Sequence, residues 1–137
     1  MSKERSTLEH KLDDVFSKFI RLRDKLTCQK CGRQFGKFTT GIQNSHFWGR
    51  RHRSTRWAEL NCCALCGGCH MHLTANPETH REWYRAKIGQ NAYNKLEHMH
   101  SKSAHYTMND LHLLHEFYKS KLNVIMKSIK WERTEKP

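Results

Sequence analysis

Four cysteines of this 137-residue chain are arranged as two CxxC pairs, a spacing that suits a metal ion. Cys28 and Cys31 form the first pair, which Gly32 follows directly, and Cys66 and Cys69 form the second pair. Two such pairs in a reduced protein match a tetrahedral zinc site with four cysteine ligands, to which each pair contributes two neighbouring thiolates. We therefore expect one structural Zn²⁺ ion, with a redox dithiol or an incidental pair as the alternatives.

Three further side chains are of types that serve phosphodiester hydrolysis. His46 lies between the cysteine pairs, Asn61 follows fifteen residues later, and His70 comes directly after Cys69. An imidazole titrates near neutral pH, so it suits a general base or a neutral metal ligand. A single histidine is more often structural than catalytic. The combination of this spacing with the bracketing cysteine pairs is what favours a catalytic interpretation here.

This pattern resembles the HNH nuclease motif, and in particular its zinc-containing members. It is most similar to the phage NinG/Rap-type recombination nucleases, over about residues 26–98. The shared features are the CxxCG pair, Ser45-His46-Phe47, a basic loop ending in Thr55-Arg56-Trp57, Asn61, the second CxxC pair, His72-Leu73-Thr74-Ala75-Asn76-Pro77, Trp83-Tyr84 and Ile88-Gly89.

The resemblance implies a fold, an activity and residue roles. The fold would be α+β and mainly helical, with a zinc-stapled treble-clef or ββα-metal core between N- and C-terminal helices. The activity would be metal-dependent hydrolysis of phosphodiester bonds in phage DNA recombination, on branched or single-strand-containing DNA. His46 would act as the general base, Asn61 would hold its loop, and His70 would bind one catalytic divalent ion, Mg²⁺ or Mn²⁺ being favoured.

One departure from the motif concerns the ligands of that divalent ion. Many HNH enzymes have Asp or His directly before the base, whereas this chain has Ser45, whose hydroxyl is a poor ligand for a hard cation. His72 or Asn76 would then complete the site. Ser45 also favours an alternative function, a non-catalytic zinc-stabilised module that binds nucleic acid. An HNH nickase of the DNA-packaging or restriction type is a further alternative.

The net charge predicts a polyanionic partner. The chain has 25 Lys plus Arg against 13 Asp plus Glu, a formal charge of +12. Residues 25–58 contain no acidic residue and eight basic ones, so DNA is the expected partner, although a solvated charged face is the alternative. We expect phosphate contacts with weak sequence specificity, primarily from Arg50, Arg51, Arg53 and Arg56 and secondarily from Lys30, Arg33 and Lys37. Trp48 and Trp57 flank this loop, where core packing is favoured over stacking on a base.

The remaining sequence features indicate the cellular compartment of the protein. Cys62 and Cys63 lie outside both CxxC pairs and are expected to be small buried residues. The first residues lack the apolar core of a signal peptide, and no apolar run approaches the ~18 residues of a membrane span. We therefore expect a cytoplasmic protein with no membrane partner, in the host cytoplasm if it is phage-encoded.

The elements that position these residues follow from hydrophobic periodicity within a single domain, 1–137. A helix is expected over 6–26, opened by a Ser6–Glu9 capping box. The zinc-bound core would span 27–76, with a two- or three-stranded ribbon, a basic loop from Gly49 to Arg56, and a helix from near Cys66 that carries His70.

A helical part is expected over 77–132. Asn76-Pro77 opens a helix that Gly89 ends, a short helix covers about 91–101, and a Thr107–Asp110 capping box opens the longest helix. The residues after about 132 are expected to fray. The apolar stripe of the last helix fits two roles equally, packing within the chain or forming a homodimer: Leu111, Leu114, Tyr118, Leu122, Ile125 and Ile129.

Overall fold

The computed structural model describes residues 2–129, and over this range it confirms a mainly helical α+β fold. The elements in chain order are α1 (Lys3–Arg23), β1 (Ile42–His46), α2 (Arg53–Arg56), a 3-10 helix (Glu59–Asn61), β2 (Cys62–Cys66), α3 (Gly67–Ala75), α4 (Pro77–Ile88), α5 (Gln90–His100) and α6 (Met108–Ser128). No helix within the described residues has the length and apolar character that crossing a membrane requires.

The ribbon consists of two strands, β1 and β2, paired antiparallel so that His46 is opposite Cys62 and Ile42 is opposite Cys66. Successive side chains of a strand point to opposite faces. Ile42 and Cys62 therefore join one buried cluster with α1 and α6, whereas Cys63 and Leu65 join a second cluster under α3, α4 and α5. The hairpin thus separates two hydrophobic cores.

The first core is formed mainly by α1 and α6. The rings of Phe16 and Tyr118 meet edge to face with centroids 4.8 Å apart. The Tyr118 hydroxyl donates a hydrogen bond to the carbonyl of Trp57 at 2.7 Å. Leu111, Tyr118 and Leu122 are buried in this core. The apolar stripe of α6 therefore packs within the chain, and the homodimer stays a prediction.

The helix ends agree with the sequence at some positions and differ at others. The Thr107–Asp110 capping box is present in full, and Gly89, with φ of 89°, ends α4. The Ser6–Glu9 capping box is wrong, because α1 begins earlier and its first turn is capped by the Ser2 hydroxyl. The expected extension of the last helix to 132 and the fraying beyond it fall outside the described residues.

Two carboxylates of α1, those of Glu9 and Asp13, bind arginines of the basic loop. The side chain of Glu9 is 4% exposed and accepts a hydrogen bond from Arg53 Nη1 at 2.6 Å. Asp13 accepts two hydrogen bonds from the Arg56 guanidinium, at 3.2 and 2.6 Å, and one from Trp57 Nε1 at 2.9 Å. These contacts attach the loop after β1 to the first helix.

Replacing Glu9 tests this attachment. Burial by itself would raise the pKa of Glu9, but the hydrogen bond from Arg53 and the charges of Arg53, Arg56 and Arg5 outweigh it, so the pKa is lowered. We expect Glu9→Gln to reduce the free energy of unfolding by roughly 1.5–3 kcal/mol at pH 7. The measurement is urea unfolding followed by circular dichroism.

The difference in free energy of unfolding between wild type and Glu9→Gln should decrease as the pH falls. A carboxyl whose folded pKa is lowered stabilises the protein above its unfolded pKa of about 4.3, and this contribution is lost as the pH falls through the folded pKa. The gap between wild type and Glu9→Gln should therefore narrow below about pH 4.3. Glu82→Gln, at an exposed position of α4, is the matched control and should unfold like wild type. A stability difference that stays constant below about pH 4.3 would contradict a stabilising ion pair at Glu9.

Candidate metal centre and active site

The four cysteines of the two CxxC pairs come together in the folded chain. Their Sγ atoms all lie within 4.8 Å of one another, and Cys31 Sγ is 3.8 Å from Cys66 Sγ. None of them forms a disulfide. A tetrahedral zinc ion with Zn–S bonds near 2.3 Å requires sulfur atoms about 3.8 Å apart. The donor set and its spacing therefore fit a structural Zn²⁺ ion.

Local backbone geometry creates this cluster. The first pair forms a tight knuckle in which Gly32 adopts φ of 80° and the Cys31 amide donates to Cys28 Sγ at 3.5 Å. Cys66 is the N-cap of α3, and its Sγ accepts from the Cys69 amide at 3.4 Å. The positive end of a helix dipole favours thiolates at that position.

The pKa values of two of these thiols are shifted in opposite directions. Burial alone would raise the pKa of Cys28, but backbone N–H groups, chiefly that of Cys31, outweigh it and lower the pKa to about 6. Burial and hydrogen bonds with the neighbouring thiols raise the pKa of Cys69 to about 12. A cation bound between the four sulfur atoms would favour their thiolate form, because metal binding releases protons from cysteine ligands.

Cys62 and Cys63 are buried in β2, as predicted, and belong to the two hydrophobic cores. Burial raises the pKa of Cys63 to about 12 and raises that of Cys62 as well. Neither sulfur belongs to the four-cysteine cluster. Both residues therefore behave as small apolar side chains.

His46 is the last residue of β1 and is half-buried. Its Nε2 atom lies 2.9 Å from the carbonyl oxygen of Arg56. Because a carbonyl only accepts, Nε2 must carry the proton, which leaves the lone pair on Nδ1. Burial lowers the pKa of His46 below its usual value, and the bond to the carbonyl offsets only part of this shift. The ring is therefore neutral at pH 7 and able to accept a proton.

Asn61 holds the loop that follows His46. Its side chain is wholly buried, and its Oδ1 accepts from the Trp48 amide at 2.8 Å. Its Nδ2 donates to the carbonyls of Trp48 and Thr55 at 2.9 and 3.1 Å. One side chain thus connects Trp48, after β1, with Thr55 of α2.

His70 lies on α3 and has a partner that the sequence did not reveal. Its Nδ1 is 2.7 Å from Gln43 Oε1, so Nδ1 donates and the lone pair remains on Nε2. Burial lowers the pKa of His70. On α4, His80 has a pKa lowered by burial and by the neighbouring His70. Strand alternation could have indicated that Gln43 faces α3, whereas no sequence pattern indicated that His80 lies near His70.

The side chains of His46 and His70 lie on opposite faces of the hairpin. Strand alternation directs His46 toward α1, where its ring lies 6.2 Å from that of Phe16, whereas Gln43 and its partner His70 are on the opposite face. Ser45 faces the same side as Gln43, and its buried hydroxyl has no hydrogen-bond partner.

The donors near His70 do not form a site for a second metal ion. Asn76 donates to the His72 carbonyl at 2.8 Å, and both side chains are exposed. Among residues 2–129, the four cysteines are the only group of three or more His, Cys, Asp or Glu residues that meets a metal-site geometry. The described residues therefore do not fit the second divalent ion that the resemblance implies.

The predicted DNA contacts divide into two groups. Arg53 and Arg56 are engaged with Glu9 and Asp13, so their charges are already neutralised within the chain. Arg50 is 3.6 Å from Asp13, but its side chain is 62% exposed. The remaining predicted contacts are all exposed: Lys30, Arg33, Lys37 and Arg51. Trp57 is buried in the first core as expected, and the half-buried Trp48 packs against the second core, also as expected, and stacks on His100.

These features define a class: a small α+β protein with a four-cysteine cluster, suited to a metal ion, between a knuckle that precedes the β-hairpin and the start of the helix that follows it. Residues 1–128 match the family described as Bacteriophage Lambda NinG protein, and the chain belongs to that family. Comparison with curated proteins and with solved structures gives no match. The HNH assignment and the treble-clef or ββα-metal description stay predictions.

The metal centre makes a direct prediction about zinc content. We expect purified wild type to contain one zinc ion per chain, and Cys66→Ser to contain less, because serine removes a thiolate from the cap of α3. Zinc binding contributes folding free energy in such sites, so the variant should also unfold at a lower temperature. The measurements are elemental analysis and thermal unfolding. Cys63→Ala is the control and should keep its zinc, and zinc retained in full by Cys66→Ser would refute the four-cysteine assignment.

Proposed function

We propose that this protein is an endonuclease that hydrolyses phosphodiester bonds in branched or single-strand-containing DNA during phage recombination. The observation that carries the proposal is the state of His46. This neutral imidazole has Nε2 bound to the Arg56 carbonyl and its lone pair on Nδ1, in a segment that Asn61 holds. Membership of the NinG family supports the phage context.

The chemistry assigned to His46 is general-base catalysis. Nδ1 accepts a proton from a water molecule as the water oxygen forms a bond to phosphorus, and the bond from phosphorus to the 3′ oxygen breaks. The 3′ oxygen takes up a proton from solvent. The products carry a 5′ phosphate and a 3′ hydroxyl. The Arg56 carbonyl fixes the ring and stabilises the imidazolium that forms, because its oxygen accepts from the protonated Nε2.

Whether hydrolysis requires a divalent cation is tested in the cleavage assay below. When bound at a scissile phosphate, such an ion stabilises the charge that develops on the phosphate oxygens. His70 Nε2 is the donor that this chain offers, with Gln43 orienting the ring through Nδ1. No carboxylate cluster accompanies it among the described residues, so no step is assigned to the ion.

The DNA-binding surface of the proposal consists of the exposed cations near the knuckle and the loop: Lys30, Arg33, Lys37, Arg50 and Arg51. Such side chains contact phosphate oxygens and give little base specificity. Arg53 and Arg56 contribute differently, because their bonds to α1 hold the loop that carries Arg50 and Arg51 in place.

A homodimer would allow two strands of a junction to be cut symmetrically. The buried stripe of α6 is not available for pairing, since it packs against α1. The exposed apolar residues of α6 lie on its other side and would have to form the contact: Leu113, Phe117 and Val124, which are 61%, 52% and 68% exposed.

A non-catalytic nucleic-acid-binding module is the second candidate function. Two observations favour it: Ser45 stands at the position of a usual metal ligand, and His46 and His70 occupy opposite faces of the hairpin. In this interpretation, the cysteine cluster stabilises a basic surface and no bond is cleaved.

A cleavage assay distinguishes the two candidates. Wild type, His46→Ala and the control His98→Ala would be incubated with plasmid and with a four-way junction, each with Mg²⁺ or Mn²⁺. We expect His46→Ala to cut about 10²–10⁴-fold more slowly, because it lacks the general base, and His98→Ala to cut like wild type. All three proteins should contain the same amount of zinc, which verifies the fold.

Other outcomes of this assay decide against the proposal. Equal cutting by wild type and His46→Ala would exclude His46 as the base. Binding of the junction by wild type without cutting under either metal would establish the non-catalytic module. Cutting of duplex plasmid in preference to the junction would contradict the recombination substrate.

A salt titration tests the DNA-binding surface separately. We expect Lys37→Gln and Arg51→Gln each to weaken junction binding in a gel shift and to reduce the slope of log affinity against log salt by about one. Lys119→Gln, on the exposed side of α6, is the control and should leave the slope unchanged. Affinity that does not fall with salt would show that phosphate contacts do not drive binding.

A further inference from the structure

Two histidines that are distant in sequence meet at the edge of the basic loop. His52 directly precedes α2, and His100 is the last residue of α5. His52 Nδ1 and His100 Nε2 are 3.1 Å apart, and the two rings lie with centroids 4.6 Å apart at 64°. This His52–His100 pair is separate from the cysteine cluster and from His46, and the proposed function does not use it.

The pair is held in place by its surroundings. The Trp48 indole stacks on the His100 ring with a centroid separation of 3.5 Å and an interplanar angle of 8°. Trp48 is itself anchored, because Asn61 bonds both its amide and its carbonyl. The Ser54 hydroxyl donates to the His100 carbonyl at 3.4 Å. These contacts pre-organise the two imidazoles, so little ordering is required when a ligand binds.

The geometry of the pair suits a transition-metal ion. A tetrahedral zinc ion with Zn–N bonds of about 2.0–2.1 Å separates two nitrogen ligands by about 3.3 Å, close to the distance between these atoms. Neutral imidazole is a good ligand for Zn²⁺, Ni²⁺ and Cu²⁺. Burial, His100 and Arg51 lower the pKa of His52, so the ring is neutral at pH 7. Both rings are partly exposed, which gives an ion access.

We propose that His52 and His100 form a second metal site, which holds a divalent ion of the Zn²⁺ or Ni²⁺ type between His52 Nδ1 and His100 Nε2. With two protein ligands, the remaining coordination positions are open to water or to a phosphate oxygen. The site joins the basic loop to the end of α5. Its existence does not depend on the nuclease proposal, because no step of the hydrolysis uses it.

Arg51 regulates this site through the tautomer of His52. Its Nε donates to His52 Nε2 at 3.2 Å, which keeps the proton of the neutral ring on Nδ1, the atom that faces His100. Metal binding at Nδ1 moves that proton to Nε2, where Arg51 can no longer donate. Arg51 is exposed and must turn away. Its removal should therefore strengthen metal binding, although its charge is not part of the site.

The test is a nickel titration of the zinc-loaded full-length chain at pH 7.5, without DNA. Bound nickel and zinc are measured in the same sample by elemental analysis after equilibrium dialysis, and quenching of tryptophan fluorescence reports on Trp48. We expect wild type to bind one nickel ion per chain while it keeps its zinc. His52→Ala and His100→Ala should lose the nickel ion, and Arg51→Ala should bind it at a lower nickel concentration.

His98→Ala removes an exposed histidine from the same helix as His100 and should bind nickel like wild type. Equal nickel binding by wild type and His100→Ala would overturn the proposal, as would loss of zinc in step with nickel uptake. Loss of nickel in His98→Ala as well would assign it to scattered surface histidines and also overturn the proposal. Circular dichroism and zinc content verify the fold, and His100→Ala decides alone if His52→Ala does not fold.

Discussion

A two-stranded hairpin covered on both faces is the constraint on which the rest of this structure depends. Two strands alone are not stable in water, so each face of β1 and β2 must be covered by helices. The alternation of side chains then assigns every strand residue to one core or the other. It directs His46 toward α1 and Gln43 toward α3. Cys66, at the end of β2, departs from this alternation, because it caps α3 and lies in the second core next to the first cysteine pair. The faces that His46 and Gln43 occupy are consequences of this alternation, whereas the metal centre depends on the knuckle of the first cysteine pair and on the cap of α3.

Folding pairs part of the positive charge of the basic loop with carboxylates from another segment of the chain. Residues 25–58 contain no acidic residue, yet Glu9 and Asp13 from α1 bind Arg53 and Arg56 in the folded chain. Partial burial makes these pairs structural, because a buried carboxylate requires a cationic partner. The part of the positive charge that remains for DNA is therefore smaller than the sequence suggests. It lies on the exposed side chains, of which Arg51 and Lys37 are examples.

The candidate site was predictable where its determinants are local. The four cysteines were identified from spacing, because a CxxC turn places two sulfur atoms together regardless of the rest of the fold. Asn61 was expected to hold the loop of His46, and the structure gives it three backbone hydrogen bonds there. Gln43 as the partner of His70 was not foreseen, since that contact requires β1 and α3 to be packed together. The pairing of His52 with His100 was likewise invisible, because it joins residues 48 positions apart.

The sequence by itself determined the features that depend on neighbouring residues. These are the mainly helical α+β composition, the Thr107–Asp110 cap, the end of α4 at Gly89 and the metal-binding character of the cysteines. Only the tertiary structure decided which charges are neutralised, which face of the hairpin each histidine occupies and that the stripe of α6 packs within the chain. The physical reason is range. Turns, caps and CxxC pairs are set over a few residues, whereas ion pairs and burial depend on which distant segments the hydrophobic cores bring into contact.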